Sequence, residues 1–199
     1  VNVATDNTEA TAETGEPKHA GSGPSRSVWW TWTADKRSRL VISTAGSGFD
    51  TVLAVYTGDT VGALTQVAAN DDAAPDGTSM VSLFADPGVP LRIAVDGFGG
   101  AAGPIRLSLE ANDVPRVELL EPLAGATWTE PAEVTLRAEA DDDDGIARFE
   151  FLLGDAIAAT DTTAPYEATL TDRSAGIYSW SARAVDTRGL TARTASVST

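Results

Sequence analysis

The strand pattern that decides the fold is clearest in residues 27–33, which read SVWWTWT. Aromatic and β-branched residues dominate this stretch, and both types favour strands. Successive side chains of a strand point to opposite faces, so Val28, Trp30 and Trp32 share one face. Trp29 lies on the other face. The face with Val28, Trp30 and Trp32 is predicted to lie in a hydrophobic core.

Similar short stretches recur along the whole chain, and each is bounded by Gly, Pro, Asn or Asp, which mark turns. Strands that follow one another every 8–14 residues or so, without a sustained 3.6-residue apolar period, are typical of β-sandwiches and leave almost no helix. The predicted strands are residues 27–33, 39–43, 51–57, 64–69, 79–85, 91–96, 104–110, 116–120, 132–140, 146–153, 156–160, 166–170, 176–184 and 191–198.

A polar segment that ends in proline, ANDVP at residues 111–115, divides the chain. Such composition is typical of a linker, here residues 112–115. The chain of 199 residues then consists of a first domain, residues 1–111, and a second domain, residues 116–199. The first is rich in Gly and Trp and the second in acidic residues, Thr and Ala, so they are not copies of each other. The predicted fold class is all-β, with two tandem β-sandwiches.

Composition excludes several classes of function. There is no cysteine, which excludes disulfides, thiol nucleophiles and Cys-ligated metals. The formal net charge of −15 repels phosphates and anionic lipid, so we predict no nucleic-acid partner. No apolar run approaches the ~20 residues that span a bilayer, so no membrane insertion is predicted. The lone histidine, His19, is expected to be a loop residue with local hydrogen bonds, and we predict no catalytic residues and no enzyme activity.

Several motifs of the first domain occur together and in order: TAETGEPKHAG at 11–21, SVWWTWT at 27–33, STAGSGFDTVLAVYTG at 43–58, AANDD at 68–72 and RIAVDGFGG at 92–100. Through them, residues 1–110 resemble the bacterial pre-peptidase C-terminal-like domain. The resemblance implies a jelly-roll-like β-sandwich appended to exported bacterial proteins, with an accessory role in secretion, stability or substrate attachment. Because some relatives bind calcium near the N-terminal segment, it also implies Glu13 and Glu16 as candidate ligands.

The second domain carries its own set of motifs: PRVELLEPLAGAT at 115–127, ADDDDG at 140–145, FEFLL at 149–153, TDTTAPY at 160–166, GIYSW at 176–180 and AVDTRG at 184–189. Residues 115–199 are similar to a bacterial Ig-like domain. The resemblance implies a spacer in extracellular hydrolases, adhesins and surface proteins. Trp180 is expected to be the packed aromatic of its core.

Acidic residues near predicted strand ends of the first domain form a candidate calcium site. Strand-end loops of a sandwich converge, and calcium takes six to eight oxygen ligands. The alternative is that each side chain caps its own turn through backbone N–H groups. The candidate ligands are Asp50, Asn70, Asp71, Asp72 and Asp96.

The densest charge of the sequence is Asp141–Asp144, followed by Gly145. Four consecutive carboxylates repel one another, and either a cation or plain solvation in a loop relieves the repulsion. Asp141 and Asp143 are the candidate metal ligands here. Asp186 lies in a similar turn.

Two tryptophans are candidate ligand-binding residues. Trp29 is either covered by the N-terminal segment or exposed, and an exposed indole can stack on a sugar ring; the alternative for any aromatic in a short strand is a place in the core. Trp128 lies in a turn region and is the better surface candidate. Tyr56 would belong to the same kind of stacking surface.

The sequence therefore predicts a non-catalytic accessory or spacer region of a larger secreted or cell-surface bacterial protein, a multidomain hydrolase or an adhesin. Its expected location is extracellular, calcium is the candidate cofactor, and the chain is expected to be a monomer. The expected partners are other domains of the same polypeptide. The alternative is a module of an extracellular enzyme that binds polysaccharide or a protein matrix.

Overall fold

The computed structural model describes all 199 residues. The chain forms two compact units, Val1–Ala111 and Asn112–Thr199. The segment predicted as a linker is shorter than expected, because strand β8 runs to Asp113 and β9 begins at Arg116. Only Val114 and Pro115 lie between these two strands.

The first unit contains eight strands and two single-turn 3₁₀ helices, Val61–Ala63 and Phe98–Gly100. Neither short helix has the length or the hydropathy to cross a membrane. The strands are β1 (Asn2–Asp6), β2 (Val28–Thr33), β3 (Ser38–Ser43), β4 (Thr51–Thr57), β5 (Thr65–Asn70), β6 (Met80–Ala85), β7 (Pro90–Gly97) and β8 (Pro104–Asp113). The last two residues of β8, Asn112 and Asp113, belong to the second unit.

These strands form two sheets, with the orders β1-β8-β3-β6 and β2-β7-β4-β5. Both sheets contribute to one buried cluster, for example through Leu40 and Ile42 of β3 and through Leu53 and Val55 of β4. The face of β2 with Val28, Trp30 and Trp32 packs against this cluster, as the alternation predicts. The first unit is therefore a β-sandwich.

Strand β4 is buried on both faces. Leu53 and Val55 point into the sandwich core, whereas Ala54 and Tyr56 belong to a second small cluster with Trp29. A strand covered on both sides loses the polar-out alternation, and this explains why residues 51–57 read as a nearly continuous apolar run.

The second unit contains β9 (Arg116–Glu121), β10 (Ala132–Asp141), β11 (Ile146–Leu153), β12 (Ala156–Asp161), β13 (Tyr166–Arg173), β14 (Ser179–Asp186), β15 (Thr191–Arg193) and β16 (Val197–Ser198). One sheet has the order β13-β10-β9, and the other has the order β12-β11-β14-β15, with β16 also paired to β14.

Aromatic residues fill the core between these sheets. Phe149 stacks on Tyr166 with ring centroids 4.8 Å apart, and Trp180 is fully buried beside them in the same cluster. The prediction for Trp180 is confirmed. So is the predicted fold class, all-β with two tandem sandwiches.

Two predicted features of the strand pattern were wrong. Strand β1 was not predicted, because its sequence, NVATD, has little β-branched or aromatic content; its pairing with β8 defines it. Residues 191–198, predicted as one strand, form β15 and β16, which pair with different parts of β14.

Candidate functional site

Oxygen atoms gather at one end of the second unit, around the loop between β10 and β11. Asp142, Asp143 and Asp144 each place one carboxylate oxygen within 4.8 Å of the other two. Asp186 ends β14, and its charge acts on Asp142. Asn112 of β8 donates from Nδ2 to Oδ2 of Asp186 at 2.9 Å. These five residues are called the oxygen cluster below.

Backbone hydrogen bonds hold the two loops of the oxygen cluster together. The N–H of Asp144 donates to Oδ1 of Asp142 at 3.0 Å. Thr187 donates from N to the carbonyl of Gly145 and from Oγ1 to the carbonyl of Asp144, both at 3.1 Å. Oδ1 of Asp186 accepts two backbone N–H groups of the following turn, each at 2.8 Å. The carboxylates are therefore positioned by the fold.

Several oxygens of the cluster are buried without a hydrogen-bond donor. Asn112 is 9% exposed and Asp186 is 1% exposed. Oδ1 of Asn112 and Oδ2 of Asp142 are buried and accept no hydrogen bond. Burial, together with the negative charges of Asp143, Asp186 and Asp144, raises the pKa of Asp142. The site concentrates negative charge, and some of its oxygens are shielded from water.

One carboxylate of the cluster has a cationic partner. Nε of Arg188 lies 3.0 Å from Oδ2 of Asp144, and its Nη2 donates to Oδ1 at 3.1 Å. Only the contact from Nη2 is a hydrogen bond, and Oδ2 of Asp144 is buried and accepts none. The ion pair compensates the charge of Asp144.

The predicted ligands Asp141 and Asp143 have different positions. Asp143 belongs to the oxygen cluster but is exposed. Asp141 ends β10 on its exposed side and lines a separate hollow of about 450 Å³ with Arg116 and Tyr166. Sequence reasoning missed Asp142 and Asn112. The alternation of β10, continued one residue into the loop, would have directed Asp142 inward and Asp141 outward.

Three of the five predicted ligands of the first unit lie near one another. Burial, followed by the charges of Asp72 and Asp50, raises the pKa of Asp71. Oδ1 of Asp50 and Oδ1 of Asp71 are buried without a hydrogen-bond donor. The structure therefore places Asp50, Asp71 and Asp72 at one strand-end region.

The other two predicted ligands have structural partners instead. Oδ1 of Asn70 accepts the N–H of Met80 at 3.0 Å. The carboxylate of Asp96 accepts Ser25 N at 2.7 Å, Ser25 Oγ at 2.9 Å, Arg26 N at 2.8 Å and its neighbouring N–H, that of Gly97, at 2.7 Å. Asp96 thus attaches the N-terminal segment to β7.

A buried polar network joins the N-terminal segment to β4. His19 is fully buried; its Nδ1 lies 2.7 Å from Oη of Tyr56, and its Nε2 lies 3.0 Å from Oε1 of Glu16. Tyr56 also donates to the carbonyl of Lys18 at 3.1 Å. His19 makes the expected local hydrogen bond, to Glu16, and in addition a long-range one, because Tyr56 is 37 residues away. Burial and the charge of Glu16 raise the pKa of Tyr56 to about 12.

Trp29 is part of this network and is half-buried, and it also lines a hollow with Glu13 and Arg92. Its Nε1 donates to Oε1 of Glu16 at 2.9 Å, and its ring packs against His19 and Tyr56 with centroid distances of 5.4 and 5.6 Å. Tyr56 is buried as well. Of the two possibilities given for Trp29, the structure shows the one in which residues of the N-terminal segment cover it. The Glu16 carboxylate also accepts the N–H of Glu13 at 2.7 Å, so its oxygens serve the fold.

Trp128 has the surface position predicted for it. It is 39% exposed and lines a hollow of about 190 Å³ with Tyr178, Glu130 and Arg173. Nε of Arg173 is buried and has no hydrogen-bond acceptor. An aromatic face beside polar groups is the usual chemistry of a sugar-binding surface.

One family model matches most of the second unit. Residues 115–197 match the family model described as Bacterial Ig domain, which confirms the Ig-like resemblance. No curated protein matches the chain.

Several solved structures are similar in part. Fibronectin(III)-like modules of Clostridium thermocellum CbhA are 28% identical, with 42% of this chain and 91% of that chain covered and a TM-score of 0.41. The pre-peptidase C-terminal domain of a collagenase from Bacillus anthracis, from the family that residues 1–110 resemble, is 12% identical, with 55% and 88% covered and a TM-score of 0.38. A β-glucuronidase from Ruminococcus gnavus is 10% identical, with 84% and 33% covered and a TM-score of 0.31.

Proposed function

We propose that the chain is a non-catalytic accessory region of a larger secreted or cell-surface bacterial protein. Two sandwiches, each with its own buried core, are arranged in series along the chain. The match of the second to the bacterial Ig domain supports a role as a module of a multidomain protein. In this role the region would hold a hydrolase or adhesin domain of the same polypeptide outside the cell.

The observation that carries the non-catalytic part of the proposal is the state of His19. It is the one histidine of the chain, and both of its ring nitrogens are buried against Tyr56 and Glu16. General acid–base catalysis requires a side chain within hydrogen-bond reach of the substrate. The imidazole therefore serves the packing of the N-terminal segment.

Two measurements test this proposal. The complete reading frame that encodes residues 1–199 is expected to encode a catalytic or adhesive domain as well, and a frame without any further domain would contradict it. The purified chain is expected to show no turnover of chromogenic esters, glycosides or casein. Turnover that copurifies with the folded chain and is lost on heat denaturation would also contradict it.

A second candidate function is binding of polysaccharide or a protein matrix through the hollow beside Trp128. The exposed indole next to Tyr178, with an unpaired Nε of Arg173 in the same hollow, favours this candidate. Loss of one stacked aromatic costs about 1–3 kcal/mol in comparable ring-stacking sites, which corresponds to a weakening of about five- to 150-fold.

Sedimentation with insoluble polysaccharides and with collagen fibrils separates the two candidates. A polymer-binding module would be retained on one of them, and W128A would weaken this retention by about five- to 150-fold. I177A is the matched control, because Ile177 is 90% exposed next to the hollow and does not line it. If the unmodified chain is retained on none of these polymers, the binding function is excluded and only the accessory role remains.

A further inference from the structure

We infer that the oxygen cluster of the second unit binds a calcium ion, with Asn112, Asp142, Asp143 and Asp186 as its protein ligands. All four belong to the unit Asn112–Thr199. This inference goes beyond the accessory role, which stands whether or not the site binds a metal.

Asn112 gives the observation that is independent of the acidic residues. Its side chain is more than nine-tenths buried, and its Nδ2 donates to Asp186. This hydrogen bond holds the carboxamide next to a carboxylate. Oδ1 of Asn112, however, accepts no hydrogen bond. A buried carbonyl without a donor is costly and is rare in folded proteins. A cation is the partner that an amide oxygen and a carboxylate can share.

The charge distribution points in the same direction. Arg188 forms an ion pair with Asp144 and hydrogen-bonds its Oδ1, so most of the excess negative charge rests on Asp142, Asp143 and Asp186. Oδ2 of Asp142 is buried and has no donor either. The backbone bonds of the two loops fix the carboxylates close together in spite of their repulsion. Without a cation, this repulsion opposes folding of the unit.

The donor set selects calcium among the common biological cations. All four side chains offer oxygen, and the site contains neither nitrogen nor sulfur ligands, which zinc prefers. Calcium accepts six to eight oxygens in irregular geometry, with mono- or bidentate carboxylates and waters, whereas magnesium demands a near-ideal octahedron. Four side chains from three separate segments form an irregular set, so calcium fits better.

NMR of the uniformly ¹⁵N-labelled full chain, stripped with EDTA and then titrated with CaCl₂, tests the site directly. Saturable shifts are expected for the side-chain amide of Asn112 and for the backbone amides of Gly145 and Thr187. D142N keeps the shape of the side chain and removes its charge, so these shifts should disappear. E133Q is the matched control, because Glu133 is an exposed carboxylate on β10 outside the cluster, and its titration should equal that of the unmodified chain.

Thermal unfolding of the same variants tests the consequence for stability. Calcium at ten times its dissociation constant should raise the melting temperature of the second unit by roughly 6–11 °C. D142N should lose this shift, yet in EDTA it should melt no lower than the unmodified chain because it also relieves the repulsion. A merely structural role for Asp142 would instead lower the melting temperature of D142N in EDTA.

Three outcomes would overturn the inference. The first is the absence of amide shifts at Asn112, Gly145 and Thr187 up to 10 mM calcium, about ten times the weaker dissociation constants of extracellular calcium sites. The second is an unchanged titration of D142N. The third is an equal effect of magnesium at the same concentrations, which would rule out the assignment to calcium.

Discussion

Replacement of Tyr56 by phenylalanine would remove one oxygen atom from the buried network of the first unit. That oxygen lies 2.7 Å from Nδ1 of His19 and 3.1 Å from the carbonyl of Lys18. The ring itself would remain, so the packing against Trp29 and His19 would change little. Y56F therefore isolates the contribution of the hydroxyl group to the attachment of the N-terminal segment.

The expected loss in the free energy of unfolding follows from the polar groups that Y56F leaves without a hydrogen-bond partner. Nδ1 of His19 is fully buried, and a buried polar group that loses its partner costs about 1–3 kcal/mol. The carbonyl of Lys18 makes a partly buried hydrogen bond. Water can replace part of that hydrogen bond in Y56F, so its removal costs less free energy. We expect a total destabilisation of about 2–3 kcal/mol, a factor of about 30–150 in the unfolding equilibrium of the first unit.

Hydrogen exchange measured by mass spectrometry reports each unit separately. Peptides from β4 and β7 of Y56F should exchange about 30- to 150-fold faster than those of the unmodified chain, and peptides from β11 and β14 should not change. Y178F is the matched control, because the hydroxyl of Tyr178 donates to the carbonyl of Ser174 at an exposed position. Y56F no less stable than Y178F would refute the argument.

Three further predictions concern single groups. The pKa of Glu150 is lowered, since hydrogen bonds and charges of Arg148 and Arg183 outweigh the burial that raises it. E150Q should therefore cost about 1–3 kcal/mol at neutral pH, and urea titrations should show this difference disappear as the pH falls below about 4.5. Because the folded pKa of Tyr56 is raised from 10 to about 12, the stability of the first unit should decline as the pH rises through this interval, and this decline should be weaker in Y56F. G77A should lower the melting temperature of the first unit more than G88A. Both glycines have a φ near +72°, and this conformation costs about 1–2 kcal/mol for alanine. Only at Gly77 would the new Cβ lie 3.0 Å from Cγ of Asp50.

The fold class could be predicted from the sequence because strand alternation is a local property. The strand at 51–57 was predicted with the bounds that the structure shows, and the core face of β2 followed from the period of two. Strand β1 could not be predicted, because its few apolar residues carry no signal and its pairing partner lies about 100 residues away in β8.

The candidate sites, too, could be predicted only in part from the sequence. That carboxylates occur at the ends of strands could be predicted, because an acidic residue next to glycine in a turn is a local pattern. The sequence could not determine which of them meet. Asn112 and Asp142 approach Asp186 only when the second unit folds, and Asp96 contacts Ser25 and Arg26, some 70 residues earlier in the chain. These contacts depend on the folded sheets, because the direction of a side chain at a strand end follows from the register and twist of the sheets, which no local pattern records.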